Sequence, residues 1–410
     1  MKRCVSALFC LIATLPAFSQ RHCQSAEYRA AQFKANPWLI GKAAAVTGGS
    51  PSDAGSLSNN STPALITIPV IVHIVYHNPA ENITDAQVQS QIDVLNADYQ
   101  KRNADTMEIP HYYRSLAADC GFRFGLALLD TNSQPTTGIV RRYTDVPSFS
   151  INDDIKFAAS GGDNGWDRDK YLNIWVGNLT NSLLGYSSIA GGPKSTDGVV
   201  VSYTAFGTNG TATAPFNRGR TATHEIGHWL NLIHTWGDDS CGNDEVADTP
   251  PQQAPDYGDP SGIVLTCGNE PYGNLYMDYM DFTDDIGMHL FTAGQRDRMR
   301  ALFAPAGFRY PLLAANIPVA VPDTTARIDN PIRGITAWPN PAITAVTILL
   351  SDPSDVGGIL EVFDQMGRRV TAIRITSPEM QVDVSGWSSG LYFIGINGSR
   401  ISRTGKLLKL

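Results

Sequence analysis

Thr67 to Tyr76 alternates and is rich in β-branched residues, which predicts a strand, and Asp85 to Gln100 carries Val88, Ile92, Leu95 and Tyr99 at the spacing of a helix face. Asn173-Ile174-Trp175-Val176 and Gly198-Val199-Val200-Val201 read as short central strands. A further helix from about Arg220 to Leu230 presents Ile226, Trp229, Leu230 and, just beyond it, Ile233 to the sheet, leaving only the opposite face for chemistry. Strands and helices together predict an α/β (α+β) domain with a twisted sheet. After Phe303 the texture changes. Ile317 to Gly334 holds several prolines and no helical period, as a linker does. Beyond Ile335, the runs 347–350, 360–363, 370–375, 381–384 and 391–396 alternate between turn signals and predict a small all-β sandwich.

The first nineteen residues have the order of a secretory signal peptide: Lys2 and Arg3, an apolar run from Val5 to Ile12, then Ala17-Phe18-Ser19. The apolar run is shorter than the ~20 residues a membrane span needs, and no later span is visible. From Gln20 to about Asn60 a charged stretch gives way to a Gly/Ser/Ala-rich one that packs little by itself, which suits a propeptide. The 410 residues are 42% hydrophobic and 17% charged, enough for two folded domains, and the net charge of -8 argues against nucleic acid as a partner. Four cysteines remain beyond the signal, Cys23, Cys120, Cys241 and Cys267, and four allow three pairings. An oxidising compartment favours a bridge between Cys241 and Cys267, which flank a loop rich in Asp, Gly and Pro. Cys120 sits in an apolar setting and reads as an unpaired core thiol.

Chemistry concentrates in His224-Glu225-Ile226-Gly227-His228, with His234 six residues on. Residues four apart share a helix face, so His224 and His228 can hold one metal ion while Glu225 lies beside it. A continuing helix would carry His234 roughly 9 Å along the axis and off that face. The chain must therefore turn back, and Asn231 suits the turn because Asn accepts a left-handed backbone. Three imidazoles leave one tetrahedral position open, as at a catalytic zinc, with Glu225 positioned to take a proton from water there and return it to the leaving amine. Amide hydrolysis follows from that set. Cys23, within Arg21-His22-Cys23-Gln24, could deliver a thiolate to the open position and hold the enzyme latent.

The extended motif, continuing through Ile233-His234-Thr235-Trp236-Gly237, resembles the metzincin metallopeptidases and, within them, the pappalysin family, with Asn231 where the family has glycine. Ile68 to His73, Leu95 to Tyr99, Val246 to Pro250 and Met280 to Met299 agree with it. The resemblance implies a methionine turn beneath the zinc. Met280, rather than Met277, aligns with the family's following pattern. The tyrosine that steadies the oxyanion in the family is Phe282 here, so Tyr279 becomes the candidate. Gly287 stands where the family has a further cysteine. Asp244, Val246 and Thr249 match calcium-binding positions, whose carboxylate, carbonyl and hydroxyl oxygens are hard ligands. Asp284 or Asp285 is implied as the acid at the base of a pocket that receives Arg or Lys after the scissile bond. The last domain resembles the type IX secretion sorting domain through Ala337 to Pro341, Val362 to Arg368, Ser389 to Tyr392 and Thr404 to Leu407.

The expected organisation is a signal peptide 1–19, a propeptide 20–54, a catalytic domain 55–315, a linker 316–334 and a sorting sandwich 335–410. The expected function is a secreted, monomeric zinc endopeptidase that also binds calcium, acting on proteins or peptides and exported by outer-membrane secretion machinery without a membrane span in its mature form. The alternative is an idle zinc fold used for adhesion. Intact Glu225 argues against it.

Overall fold

The computed structural model describes residues 20–39, 63–320, 335–338, 340–350, 356–377, 379–397 and 404–410. The expected signal peptide, the part of the expected propeptide at 40–54 and most of the expected linker lie outside the described residues. Two compact units are present: one takes the described residues through Ala320 apart from Arg102–Ile109, and the other takes Arg102–Ile109 with the described residues from Ile335 on.

In chain order the first unit contains α1 (Ser25–Ala35), β1 (Ile66–Tyr76), α2 (Asp85–Asp98), β2 (Phe122–Ala127), β3 (Ile139–Tyr143), β4 (Leu172–Gly177), β5 (Gly185–Ser187), β6 (Val199–Ser202), α3 (Arg220–Trp229), β7 (Tyr257–Gly258), β8 (Phe282–Thr283), α4 (Ala293–Ala301), α5 (Tyr310–Ala314) and β9 (Val319–Ala320). The main sheet runs β5-β6-β4-β1-β2-β9, with β3 also paired to β1. Its centre is parallel, whereas β5 and β9 join it antiparallel. β5 is thus an edge strand.

β1 does not show the one-sided burial that alternation predicts: Ile68 to Val75 are all buried. Both faces are covered. Ile68, Val70, Val72 and Ile74 share a core with Val88, Ile92 and Leu95 of α2 and Ala222, Ile226 and Trp229 of α3. Val75 meets Trp175 and Tyr186 on the other face. A central parallel strand buried on both sides has this continuous apolar texture. Thr84 caps α2, its hydroxyl accepting from Gln87 N at 3.1 Å. Asn96 ties α2 to β2, donating to Phe124 O and accepting from Phe124 N.

The linker also begins later than expected, because Val319 and Ala320 pair with Ala127 and Leu126 and so extend the sheet. In the second unit, β10 (Ile335–Trp338), β11 (Ala345–Leu350) and β14 (Glu379–Asp383) form one antiparallel sheet. The other contains β13 (Arg369–Arg374), β12 (Ile359–Asp364), β15 (Gly390–Asn397) and β16 (Thr404–Lys409). Val346, Ile348, Leu360, Val362, Ile394 and Leu407 meet in its core, as the period of two requires.

Candidate metal centre

α3 sends Ala222, Ile226 and Trp229 into the core and keeps His224 and His228 on its other side. The helix then closes by a Schellman arrangement: Leu232 N donates to Gly227 O and Asn231 N to His228 O, with Asn231 at φ 73°. This reversal puts Leu232 into the core and returns His234 to His228. It also corrects one expectation, since Ile233 lines a cavity beside His228 instead of joining the core. Asn231→Val is expected to cost about 1–2 kcal/mol, because a β-branched residue resists a left-handed backbone, whereas Asn231→Gly should leave the unfolding midpoint unchanged. Equal midpoints for both variants would show that the bend is not what holds the loop.

The imidazole Nε2 atoms of His224 and His234 lie 3.2 and 3.1 Å from that of His228. With Cys23 Sγ, which is 3.8 Å from His228 Nε2, all four donor atoms fall within 4.8 Å of one another. Tetrahedral zinc with bonds of about 2.0–2.1 Å to nitrogen needs nitrogens about 3.3 Å apart. The donor set fits. Each ring's second nitrogen is engaged too: His224 Nδ1 donates to Tyr279 O at 2.7 Å, His228 Nδ1 to Leu232 O at 2.9 Å, and His234 Nδ1 to Asp238. These partners fix the Nδ1–H tautomer and leave every Nε2 lone pair facing the centre. Burial, then the neighbouring rings, holds His224 and His228 well below their ordinary pKa, so they are neutral as ligands must be. Burial, then the Glu225 carboxylate, pushes the Cys23 thiol well up. A thiolate buried among three imidazoles is what a dication would stabilise.

Beneath the helix lies Met280. A β-carbon on Gly227 would come within 2.4 Å of its Sδ, so any side chain there would displace the methionine. His234 stacks on Trp236 at 4.4 Å, and Phe282 packs edge-on to both rings. Glu225 is buried, and burial raises its carboxyl to about 7. One of its oxygens accepts from Ser25 Oγ at 2.8 Å, while Oε1 has no hydrogen-bond partner. The edge strand passes directly over it: a β-carbon on Gly185 would meet Glu225 Oε1 at 2.9 Å.

The N-terminal segment occupies this cleft. Leu184 N donates to His22 O and Gln24 N to Gly185 O, so residues 22–24 run parallel to β5. Arg21 is buried, donating to Thr283 O at 2.9 Å, Thr221 Oγ1 at 3.1 Å and Asp285 Oδ1 at 2.6 Å. The other Asp285 oxygen accepts from Arg218 N and Arg220 N. On α1, Tyr28 donates to Asp153 at 2.8 Å and packs on Tyr186, while Arg29 pairs with Asp238.

Comparison with known proteins gives the same picture. Residues 158–304 match the family described as pregnancy-associated plasma protein-A, and 336–409 match a secretion system C-terminal sorting domain. An extracellular metalloprotease of Verticillium alfalfae is 30% identical over 58% of this chain and 76% of its own length, and extracellular metalloprotease 1 of Coccidioides posadasii is 31% identical over 61% and 81%. Among solved structures, Tannerella forsythia mature mirolysin in complex with a cleaved peptide is 46% identical, with a TM-score of 0.60 over 61% of this chain and 96% of that one. A promirolysin mutant from the same organism is 42% identical, with a TM-score of 0.65 over 72% and 97%.

The chain belongs to the pregnancy-associated plasma protein-A family of metallopeptidases. It is a secreted zinc peptidase with a metzincin-like α/β catalytic domain and a type IX sorting domain. The adhesion alternative falls with that. Among the described residues no helix is long and apolar enough to cross a membrane.

Several expected residues find their places in the peptidase. Cys241 and Cys267 form a disulfide, and Cys120 is buried as a free thiol. Met280, and not Met277, is the methionine under Gly227. Of the two candidate acids, Asp285 receives the guanidinium. Tyr279 is a correction: its side chain is fully buried, its ring tilted against Phe291, with its hydroxyl accepting from Arg220 at 3.2 Å, and only its carbonyl serves the site. The following residue turns toward the helix as Met280, so Tyr279 must point into the core. Sequence reasoning missed Arg21, Ser25, Tyr28 and Asp238. Arg21 and Ser25 flank the flagged Cys23 by two residues, and Asp238 follows His234 by four, so spacing alone held the signal.

Proposed function

We propose that this peptidase is made latent and, once matured, cuts peptide bonds on the amino side of arginine or lysine, with Glu225 carrying the proton and Asp285 reading the basic side chain. The observation that carries the reading is the buried pairing of Arg21 with Asp285 while Cys23, two residues on, stands among the three histidines. The pro-segment fills the specificity pocket with the kind of side chain the pocket takes. A planar guanidinium on a buried carboxylate, supported by Thr283 O and Thr221 Oγ1, is a recognition site for a basic residue.

Held by His224, His228 and His234, a zinc ion would polarise the scissile carbonyl and stabilise charge as it develops on the oxygen. Glu225 takes a proton from the attacking water and passes it to the leaving amine, one carboxylate serving as base and then as acid. Phe282 and Trp236 shield the histidines from bulk water. Latency has three contacts: Cys23 at the histidines, Ser25 on the Glu225 carboxylate, and Arg21 in the pocket. Parallel pairing with β5 also presents the pro-segment backbone in one fixed sense along the edge. Mass spectrometry of peptide-library cleavage by the matured enzyme, with metal analysis of the same sample, tests the whole reading. Cuts before Arg and Lys that vanish with a chelator are expected. Chelator-insensitive cleavage would overturn the mechanism, and cuts indifferent to the following residue would overturn the pocket.

Calcium belongs to the same reading. Both Asp244 carboxylate oxygens lie within 2.9 Å of Thr249 Oγ1, which is 2.8 Å from Val246 O, so three oxygen-bearing groups converge in the buried loop after the metal motif. Burial raises Asp244 to about 6, a cost that a hard cation would offset. Removing calcium with a selective chelator is expected to lower the unfolding midpoint by roughly 5–10 °C, as for a ligand present at about a hundred times its Kd. An unchanged midpoint at constant zinc content would rule the ion out.

A further inference from the structure

We infer that Asp238 is the acidic wall of a second subsite, on the opposite side of the histidine cluster from Asp285, which favours substrates with a basic side chain before the scissile bond. This rests on the reading of Asp285 as the pocket for the residue after that bond. The pro-segment crosses the cleft with an arginine on either side of Cys23. Arg21 meets Asp285, the thiol meets the histidines, and Arg29, on the first turns of α1, meets Asp238. Each guanidinium of this strap ends on a carboxylate of the catalytic domain, and the two carboxylates bracket the site.

Asp238 is built for this. One oxygen accepts from His234 Nδ1 and the other meets Arg29, so the first contact fixes the carboxylate and aims the second oxygen at the incoming cation. Its side chain is 17% exposed, so it is reachable but partly desolvated, where a charge-assisted hydrogen bond outweighs a fully exposed ion pair. Arg29 itself lines a cavity of about 350 Å³, together with Phe33 of α1 and Ser188, His228, Glu245 and Arg298 of the catalytic domain. The cavity's own cation is already engaged: Arg298 pairs with Glu245 at 2.8 Å and donates to Asn231 O at 2.7 Å. Departure of Arg29 therefore leaves Asp238 with its His234 hydrogen bond and frees its other oxygen for an incoming cation.

The test uses enzyme matured from the full chain and matched fluorogenic peptides. All carry arginine after the scissile bond, apart from a control series with citrulline there, and each of the three positions before it holds arginine, its neutral isostere citrulline, or glutamate. At one of these positions arginine is expected to raise kcat/KM over citrulline roughly 3- to 10-fold, mainly through KM, with glutamate poorer still and the preference shrinking at high salt. Asp238→Asn should erase the ratio between arginine and citrulline peptides. That ratio is internal to each enzyme, so it stands whatever fraction of the variant holds zinc, and the metal content is measured alongside it. Where Asp238→Asn is too inactive to assay, the salt dependence of the wild-type ratio decides. Equal cleavage of all three peptides at every position, with the arginine after the bond still required, would overturn this inference alone and leave Arg29 as a latch of the latent form. Cleavage indifferent to that arginine would overturn the underlying reading of Asp285 as well.

Discussion

Glu225→Ala is expected to abolish casein hydrolysis while leaving a folded chain that still takes up zinc. The three histidines keep their Nδ1 partners at Tyr279, Leu232 and Asp238, none of which touches Glu225, so the donor set survives the substitution. Alanine is the best helix former, so α3 loses nothing in propensity. The carboxyl is buried and raised to about 7, and one oxygen has no hydrogen-bond partner, so its removal relieves desolvation and the unfolding midpoint should hold or rise slightly. What disappears is the proton carrier, worth about 10²- to 10⁴-fold for a positioned general base and acid. The measurement pairs a casein assay with zinc content and the unfolding midpoint for both proteins. Variant activity equal to wild type would remove Glu225 from the mechanism, and loss of zinc with the activity would assign it a structural part instead.

Much of this site was legible because its chemistry is local. His224 and His228 stand four positions apart on one helix, and one residue able to take a positive φ, Asn231, brings His234 back, so spacing and backbone preference suffice to assemble the three. The α/β layering and the sandwich were legible for a similar reason, since hydrophobic period reports which faces are covered. Residues whose positions depend on distant partners were not. Arg21 meets Asp285 across 264 positions of sequence, and no local pattern encodes such a pairing. α1 is short and weakly amphipathic, and an isolated helix of that length is marginal in water. It is held by packing against β5 through Tyr28 and Tyr186, which only the folded sheet supplies. The exchange of Ile233 for Leu232 in the core has the same origin: the reversal at Asn231 resets which residue faces inward, and a helical period read straight through it selects the wrong one. The continuous burial of β1 likewise follows from layers on both faces, which alternation along one strand does not report.

Asp285→Asn is expected to lower kcat/KM on peptides with arginine after the scissile bond by about 10²-fold, while peptides with a neutral residue there change little. The side chain is fully buried, and leaving a guanidinium without its buried counter-charge costs about 3–5 kcal/mol, of which a neutral amide oxygen recovers part. Asparagine is the right substitution because one oxygen is still needed to accept from Arg218 N and Arg220 N at the start of α3, and alanine would loosen the helix that holds the histidines. The same change acts on the latent form with opposite consequence. Arg21 loses its partner, so the pro-segment should release sooner and maturation should quicken even as the mature enzyme becomes poorer on basic substrates. Fold damage would slow both. Opposed shifts in maturation rate and in kcat/KM for arginine peptides are therefore the signature of a shared pocket, and two shifts in the same direction would show that Arg21 and the substrate's basic residue do not use the same carboxylate.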